Sequence, residues 1–213
     1  FQAGTGITTG VQNTLIGSLA GDAITDADFN VAIGINALTT DTLGGKSVAV
    51  GHSALANQNF TTATDSYNTA VGDVAGTAIT TGTQNTIVGG LAGDALTIGF
   101  QNVAIGVDAL STDTAGNKSV AIGRSALSSQ NFSSDTDGLN TAVGYFAGVG
   151  ITTGKRNAFL GAEAGASNTT GESNTYIGRQ AGTSMTTGSN NTIIGRYNGN
   201  QDSLDLRTSS NNI

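Results

Sequence analysis

The chain has 213 residues and a formal net charge of -7, and it contains 32 glycines but no cysteine, proline or tryptophan. The lack of cysteine excludes a disulfide scaffold, and eight Lys and Arg residues are too few for the basic clusters that nucleic-acid binding requires. No stretch approaches roughly 18 consecutive apolar residues, so we expect no membrane insertion by this chain.

A short motif recurs eleven times from the N-terminal to the C-terminal part of the chain. Its clearest copy is Asn68-Thr-Ala-Val-Gly-Asp-Val-Ala-Gly76, in which a glycine directly follows an aliphatic residue. Successive marker glycines are 17 residues apart, with two gaps of 21, and they stand at Gly17, Gly34, Gly51, Gly72, Gly89, Gly106, Gly123, Gly144, Gly161, Gly178 and Gly195. A fixed short period is typical of solenoids. We therefore predict an all-β fold, a parallel β-roll or β-solenoid of about eleven coils of 17–21 residues, with these glycines at the coil corners.

Each coil is predicted to contain one short strand directly before its glycine. The residues there are β-branched or otherwise apolar, and Gly and Asn bound them, which favours a strand over a helix. Because side chains of a strand alternate between faces, a strand that is apolar at consecutive positions has two buried faces. We interpret the residue before the glycine as the one that fills the coil. The residue before that one then faces outward, and self-association would cover it.

Two further columns predict a narrow, regular interior. Alanine stands three residues after the marker glycine in ten of the eleven coils, which indicates that no larger side chain fits there. Asparagine stands four residues before the glycine in nine coils, with Ser47 and Ser119 in the other two. Stacked Asn side chains can hydrogen-bond along the axis of a coil stack, so we predict a structural ladder.

A longer period of four coils lies over the first. Residues 12–83 match residues 84–155 at 45 of 72 positions without a gap. Asp26 and Asp28 suggest paired carboxylates, but their counterparts are Ile98 and Phe100, so no ligand set is repeated. His52, the single histidine, is matched by Arg124. With no second histidine and no cysteine, the sequence does not offer a usual pair of catalytic nucleophile and base. We predict no enzyme, and no catalytic, cofactor-binding or metal site.

The two gaps of 21 residues each contain a longer loop with a phenylalanine in its middle. These are the segments 57–67, with Phe60, and 129–139, with Phe132. Two hypotheses stay open. Each Phe folds back and plugs the side of the rod, or the loops contact a partner and form possible surface-binding loops with Phe60, Tyr67 and Phe132.

The chain divides into a repeat region over residues 1–199 and a different segment over residues 200–213. The first residues match the tail of a coil, because Gly6-Ile-Thr-Thr-Gly10 is similar to Ala78-Ile-Thr-Thr-Gly82, so we expect a segment of a longer protein. In the eleventh coil the repeated alanine becomes Asn198, and Ser203-Leu-Asp-Leu-Arg207 alternates apolar and polar residues. We predict an exit strand toward a following element.

Two stretches carry a family resemblance. Asn30-Val-Ala-Ile-Gly-Ile-Asn-Ala and Ser119-Val-Ala-Ile-Gly-Arg-Ser-Ala closely resemble the head repeat of YadA-like trimeric autotransporter adhesins, although that repeat is shorter. The resemblance covers Gly17 to about Asn198 and implies a left-handed parallel β-roll of three chains that binds host surface molecules. The Asn-Thr-x-x-Gly-x-x-Ala-Gly variant, with the tail Asp205-Leu-Arg-Thr-Ser-Ser-Asn-Asn212, resembles bacteriophage tail-fibre and related virion fibre proteins.

The resulting expectation is an extracellular homotrimeric fibre shaft or adhesive head, most simply of a virion, whose partner is a cell-surface glycan or protein receptor. The alternative is a bacterial trimeric surface adhesin. The trimer core is predicted to contain the second residue before each glycine, namely Leu15, Ala32, Ala49, Ala70, Ile87, Ala104, Ala121, Ala142, Phe159, Tyr176 and Ile193.

Two remote alternatives belong to other functional classes. A polysaccharide-cleaving tailspike needs an unrepeated acidic pair, for which Asp135 and Asp137 are the nearest candidates, but Asp137 has its counterpart in Asp65. An ice-binding solenoid needs a flat threonine ladder that faces water. Six threonines share one column of the repeat but are interrupted by valine, namely Thr14, Thr69, Thr86, Thr141, Thr175 and Thr192.

Overall fold

The computed structural model of the chain describes residues 2–201 and 204–212, and it is built from short strands without a helix in these ranges. The described strands, in chain order, are β1 Thr14–Ile16, β2 Val31–Ile33, β3 Gly44–Gly45, β4 Val48–Val50, β5 Thr64–Asp65, β6 Thr69–Val71, β7 Thr86–Val88, β8 Val103–Ile105, β9 Gly116–Asn117, β10 Val120–Ile122, β11 Thr136–Asp137, β12 Thr141–Val143, β13 Ala158–Leu160, β14 Thr175–Ile177, β15 Thr192–Ile194, β16 Asn200–Gln201 and β17 Leu204–Asp205.

Eleven of these strands form one parallel sheet that runs the length of the molecule. Its order is β1-β2-β4-β6-β7-β8-β10-β12-β13-β14-β15, and equivalent residues of successive coils lie side by side, as Leu15 does with Ala32. The predicted all-β parallel solenoid of about eleven coils is confirmed. With about 4.8 Å between neighbouring strands, the sheet is roughly 48 Å long.

The middle residue of each strand points into the coil, which reverses the predicted orientation of the strands. Ten of the eleven middle residues are buried within a single chain, and Leu15 packs partly buried against the same core. The prediction that this column faces outward and forms a trimer core is therefore wrong for Leu15, Ala32, Ala49, Ala70, Ile87, Ala104, Ala121, Ala142, Phe159, Tyr176 and Ile193. The side chains of a three-residue strand alternate out, in and out, and the cramped interior accepts the middle column, which is most often alanine.

In most coils a large residue and a small residue are paired inside the coil. In four coils an alanine at the middle of the strand is accompanied by a buried leucine six residues later, as with Ala32 and Leu38. In the ninth and tenth coils the middle residues are Phe159 and Tyr176, whose rings stack with centroids 5.2 Å apart, and glycine stands six residues later. A Cβ atom on Gly182 would lie 2.6 Å from the ring of Tyr176, so the large side chain occupies the space that leucine fills elsewhere.

The predicted asparagine ladder is present and connects the coils through their backbones. The side-chain oxygen of Asn68 accepts a hydrogen bond from the backbone N–H of Asn85 at 2.9 Å, and its amide group donates to the carbonyl of Gly82 at 2.7 Å. Asn85 repeats the pattern with Asn102 and Gly99. Each rung thus satisfies backbone groups that the corner leaves without a strand partner, which is what buried backbone polar groups require.

The marker glycines stack directly on one another along one edge of the sheet. All eleven have φ between 108° and 145°. From Gly17 to Gly178, an added Cβ atom would come within 2.2–2.6 Å of the carbonyl oxygen of the next marker glycine. The corner therefore needs glycine for two reasons, its backbone conformation and the close approach of the neighbouring coil. The predicted coil-corner role of these glycines agrees with this geometry.

Residues 200–201 and 204–205 form two short antiparallel strands, and residues 207–212 then lie against the coil stack again, while the exit toward a following element stays a prediction. Strands β16 and β17 pair antiparallel, and afterwards the N–H of Thr186 donates to the carbonyl of Arg207 at 2.8 Å. The N–H of Asn212 donates to the side-chain oxygen of Asn191 at 3.0 Å, so Asn212 is a further rung of the ladder. Residues 202, 203 and 213 of the predicted segment lie outside the described residues.

Two adjacent glycines allow a direct test of the stacked corner. We expect Gly89→Ala to lower the free energy of unfolding by about 3 kcal/mol, because the new methyl group would lie 2.6 Å from Gly106 and φ is 135°. Gly90→Ala is the matched control, since its nearest neighbour would be the carbonyl oxygen of Asp73 at 4.0 Å. Denaturant titration of both variants measures the difference, and equal stabilities would contradict a sterically closed corner.

Candidate functional site

The outward face of the eleven-stranded sheet carries two columns of side chains along the stack. The first column consists of the first strand residues, which are Thr or Val with a single Ala, and the second consists of the aliphatic residues directly before the glycines. In the second column five members are 36–75% exposed, with the highest value at Ile194 in the last coil, and the other six are half-buried. The two columns are separated by about 7 Å across a strand. A single chain therefore leaves an apolar, regularly spaced face in contact with water.

The two long loops are held by their phenylalanines, which are buried. Phe60 is 6% exposed and Phe132 4%. The backbone N–H of Phe60 donates to the buried carboxylate of Asp41 at 3.0 Å, and its carbonyl accepts from Leu43 at 3.1 Å. This geometry agrees with the plug hypothesis and removes both rings from a candidate binding surface.

A buried polar network lies beneath each long loop. It lies at the two coils in which Ser47 and Ser119 stand in place of the ladder asparagine. Under the first loop, the amide group of Gln58 donates to Asp41 at 2.6 Å and to the hydroxyl of Ser47 at 2.8 Å, and its oxygen accepts from Asn68 at 2.8 Å. The second loop repeats this network around Asp113 and Gln130. Burial raises the pKa of Asp113, while the hydrogen bonds from Gln130 and from backbone N–H groups oppose the shift.

Tyr67 behaves differently from the two phenylalanines, since its side chain lies on the surface. It is 51% exposed, and its hydroxyl is 3.3 Å from both the ammonium group of Lys46 and the carboxylate of Asp65. Lys46 and Asp65 form an ion pair of 2.5 Å, which lowers the pKa of Asp65 and raises that of Lys46. Of the three predicted loop residues, Tyr67 alone remains available for contact.

A cavity of about 410 Å³ opens beside this ion pair, on the corner that three successive coils share. It is lined by the corner of the first coil, the corner of the second and the end of the first long loop, namely Asp26, Ala27, Asp28, Phe29, Leu43, Gly45, Lys46, Ala63, Thr64 and Asp65. The lining thus joins three carboxylates, one ammonium group and the half-exposed ring of Phe29. Asp26 and Asp28, which the sequence suggests as paired carboxylates without a repeated ligand set, line this cavity together with Lys46 and Asp65.

The remaining candidate groups are engaged in local contacts. Asp137 pairs with Lys118 at 2.7 Å, which lowers its pKa, and Asp135 accepts a hydrogen bond of 2.6 Å from Asn117. His52 contacts Asp73 at 2.9 Å on the surface. Within the described ranges, no three His, Cys, Asp or Glu side chains gather closely enough to hold a metal ion. The same ranges contain no helix able to span a lipid bilayer.

Comparisons of the chain with models of protein families, with curated proteins and with solved structures found no match. Two surfaces therefore stand as candidates on geometry alone, the outward face of the sheet and the corner cavity. Sequence reasoning placed the outward face one residue away from its true position. One sequence feature indicates the cavity, namely that Asp26 and Asp28 have Ile98 and Phe100 as their counterparts in the second block.

The plug role of the two phenylalanines leads to a stability prediction. We expect the double variant Phe60→Ser, Phe132→Ser to lose about 3 kcal/mol of unfolding free energy per site, because each change leaves a cavity beneath its loop. Denaturant titration measures the loss. The control is Tyr67→Ser with Leu139→Ser, at twin positions that are 51% and 44% exposed. A larger loss in the control than in the Phe variant would show that the loops are held by their outer residues.

Proposed function

We propose that this chain is a rod-shaped segment of a homotrimeric extracellular fibre that presents an attachment surface to a cell. The observation that carries the proposal is the outward face of the sheet. Its aliphatic column runs along all eleven strands, a length of roughly 48 Å, and with the methyl groups of the Thr and Val column it forms a stripe about 10 Å wide, or about 480 Å², which is as large as the largest apolar patches of monomers, and these are often functional. Such a stripe is typical of a protein that is covered by a partner.

The repeat of this face favours another copy of the same chain as that partner. Side chains recur at the strand spacing of about 4.8 Å along the whole stack. A surface with the same spacing can pack against it in register over its full length, and parallel copies of one chain provide this match. Valine and threonine are nearly equal in size, so the alternation of these two residues in the first column leaves the surface even.

The resemblance to trimeric adhesin repeats and to virion fibre proteins supports three chains and an attachment role. The Val-Ala-Ile-Gly core that carries the resemblance is the strand and corner of each coil, and its Val and Ile are the residues that face outward, as Val31 and Ile33 do in β2. We favour a virion fibre, with a bacterial surface adhesin as the alternative within the same class. A cell-surface glycan or protein is the proposed receptor, and no catalytic step is required.

A substitution on the outward face tests the trimer. We expect the native chain to sediment at about three times 21.1 kDa. Val88→Asp should convert it into a monomer that retains its β-structure, because three unpaired carboxylates would meet in an apolar contact at a cost of several kcal/mol. Ile87→Asp should instead unfold the coil, since Ile87 is buried inside it.

Thr61→Asp is the control for added charge, because Thr61 is an exposed residue of the first long loop. This variant should stay trimeric. A native chain that sediments as a monomer at micromolar concentration would overturn the proposal.

The outward threonines support ice binding as a second candidate. The six column residues Thr14, Thr69, Thr86, Thr141, Thr175 and Thr192 lie on the water-facing side of the single chain, beside the aliphatic column. If the chain is trimeric through this face, we expect no thermal hysteresis. A freezing-point hysteresis that Thr86→Lys abolishes would favour ice binding by an uncovered sheet instead.

A further inference from the structure

The corner cavity lies in the first block of coils, at a corner where three side chains of the equivalent second-block corner are replaced. In the second block, Asn117 accepts a hydrogen bond from the N–H of Phe100 at 3.0 Å and donates one of 2.6 Å to Asp135. The ring of Phe100 lies beneath the ammonium group of Lys118, 5.6 Å from its centroid. These contacting side chains occupy the second-block corner.

The first block has shorter side chains at all three of these positions. Gly45 stands in place of Asn117, Ala63 in place of Asp135 and Asp28 in place of Phe100. Beneath the corner, the network around Asp41 and Gln58 is the same as its twin. The cavity is therefore a local change on an unchanged scaffold, and its volume of about 410 Å³ falls in the range of small-molecule sites.

Some hydrogen-bond acceptors and donors of the cavity are not used by contacts within the protein. One oxygen of Asp28 accepts from the N–H of Val11 at 2.7 Å, and one oxygen of Asp26 accepts from the hydroxyl of Thr9. The second oxygen of each has no hydrogen-bond partner among the described residues. The ammonium group of Lys46 has three N–H donors and contacts Asp65 and Tyr67. The carboxylates of Asp26 and Asp28 can thus each accept a further hydrogen bond from a ligand, and the ammonium group of Lys46 can donate one.

The charges and the aromatic ring narrow the class of ligand. Three carboxylates against one ammonium group repel an anion, and among the described residues these carboxylates do not gather closely enough to hold a metal ion. Phe29 is 50% exposed and offers an apolar face next to these groups. Vicinal hydroxyls can donate to the two carboxylates and accept from Lys46, while the C–H face of a sugar ring packs on the aromatic ring.

We propose that this corner binds a neutral mono- or disaccharide unit of a glycan, with Asp26, Asp28 and Lys46 as its hydrogen-bonding groups and Phe29 as its stacking face. The proposal rests on the proposed attachment function and names the ligand class of the attachment surface. A trimer carries three such corners at the same height of the rod. Weak single sites then act together on a surface that carries many copies of the glycan.

Ligand-observed NMR on the full chain tests the site. The probes are the methyl glycosides of glucose, galactose, mannose and N-acetylglucosamine, with glucuronate as the anionic and glucosamine as the cationic comparison. We expect saturable binding of at least one neutral glycoside with a millimolar dissociation constant, and weaker binding of both charged probes. Binding that is restricted to glucosamine would show a cation site and overturn the proposal.

The twin corner supplies the matched variants. Gly45→Asn with Ala63→Asp rebuilds the contacts of the second block and should weaken binding by about tenfold or more. Asn117→Gly with Asp135→Ala opens the other corner and should leave binding unchanged. Phe29→Gln, which introduces the residue of the twin position Gln101, should weaken binding without closing the cavity. Thermal melting that matches the native chain shows that each variant is folded.

Sedimentation of the same samples separates this proposal from the proposed function. A trimer that binds none of the neutral glycosides overturns the saccharide site alone. A monomer that binds a neutral glycoside retains the site and overturns the trimer. Native-like binding by the variant Gly45→Asn, Ala63→Asp would show that the sugar lies elsewhere, which also overturns the site.

Discussion

Direct stacking of each coil on the next is the constraint on which this structure depends. At the glycine corner the next coil leaves no space even for a methyl group, since a Cβ atom on Gly51 would lie 2.2 Å from the carbonyl oxygen of Gly72. A few residues away, the buried side chain of Asn68 joins the same coils by hydrogen bonds to Asn85 and Gly82. Steric contact fixes the distance between coils and the ladder fixes their register. Together they turn every position of the repeat into a column.

Columns of this kind let one chain complete its own core. In nine of the eleven coils the interior pairs a leucine with an alanine or a large residue with a glycine, so Tyr176 can replace an alanine where Gly182 makes room for its ring. Burial raises the pKa of that tyrosine to about 12, which reflects how little water reaches the interior. Association is therefore not needed to bury the inner residues. What it would cover is the outward face, whose apolar residues are half-buried or exposed in the single chain.

The repeat period alone was enough to predict the fold. It was not enough to predict which face of each strand is buried. Eleven glycines at spacings of 17 or 21 residues imply parallel coils, and the alternation of a strand shows that Val31 and Ile33 share a face. Alternation does not show which face is inside. Alanine at six of the eleven middle positions indicates that this face is inside, because only small side chains fit a narrow interior. The same reasoning placed the alanine three residues after each marker glycine in the interior. The corner cavity is harder to predict, because it depends on the small residues Gly45 and Ala63. Small residues that leave space open do not form a recognisable sequence motif.

Duplication explains why a site can arise at one corner without cost to the rod. The hydrogen bonds of Asp41 and Gln58 beneath the first long loop recur around Asp113 beneath the second, so the support of the loop is independent of the residues above it. Changes such as Asp28 for Phe100 then alter the surface chemistry while the ladder and the glycine stack stay the same. In a repeat protein the shared residues describe the scaffold. The positions at which one block departs from the other are where a specific ligand site can be sought.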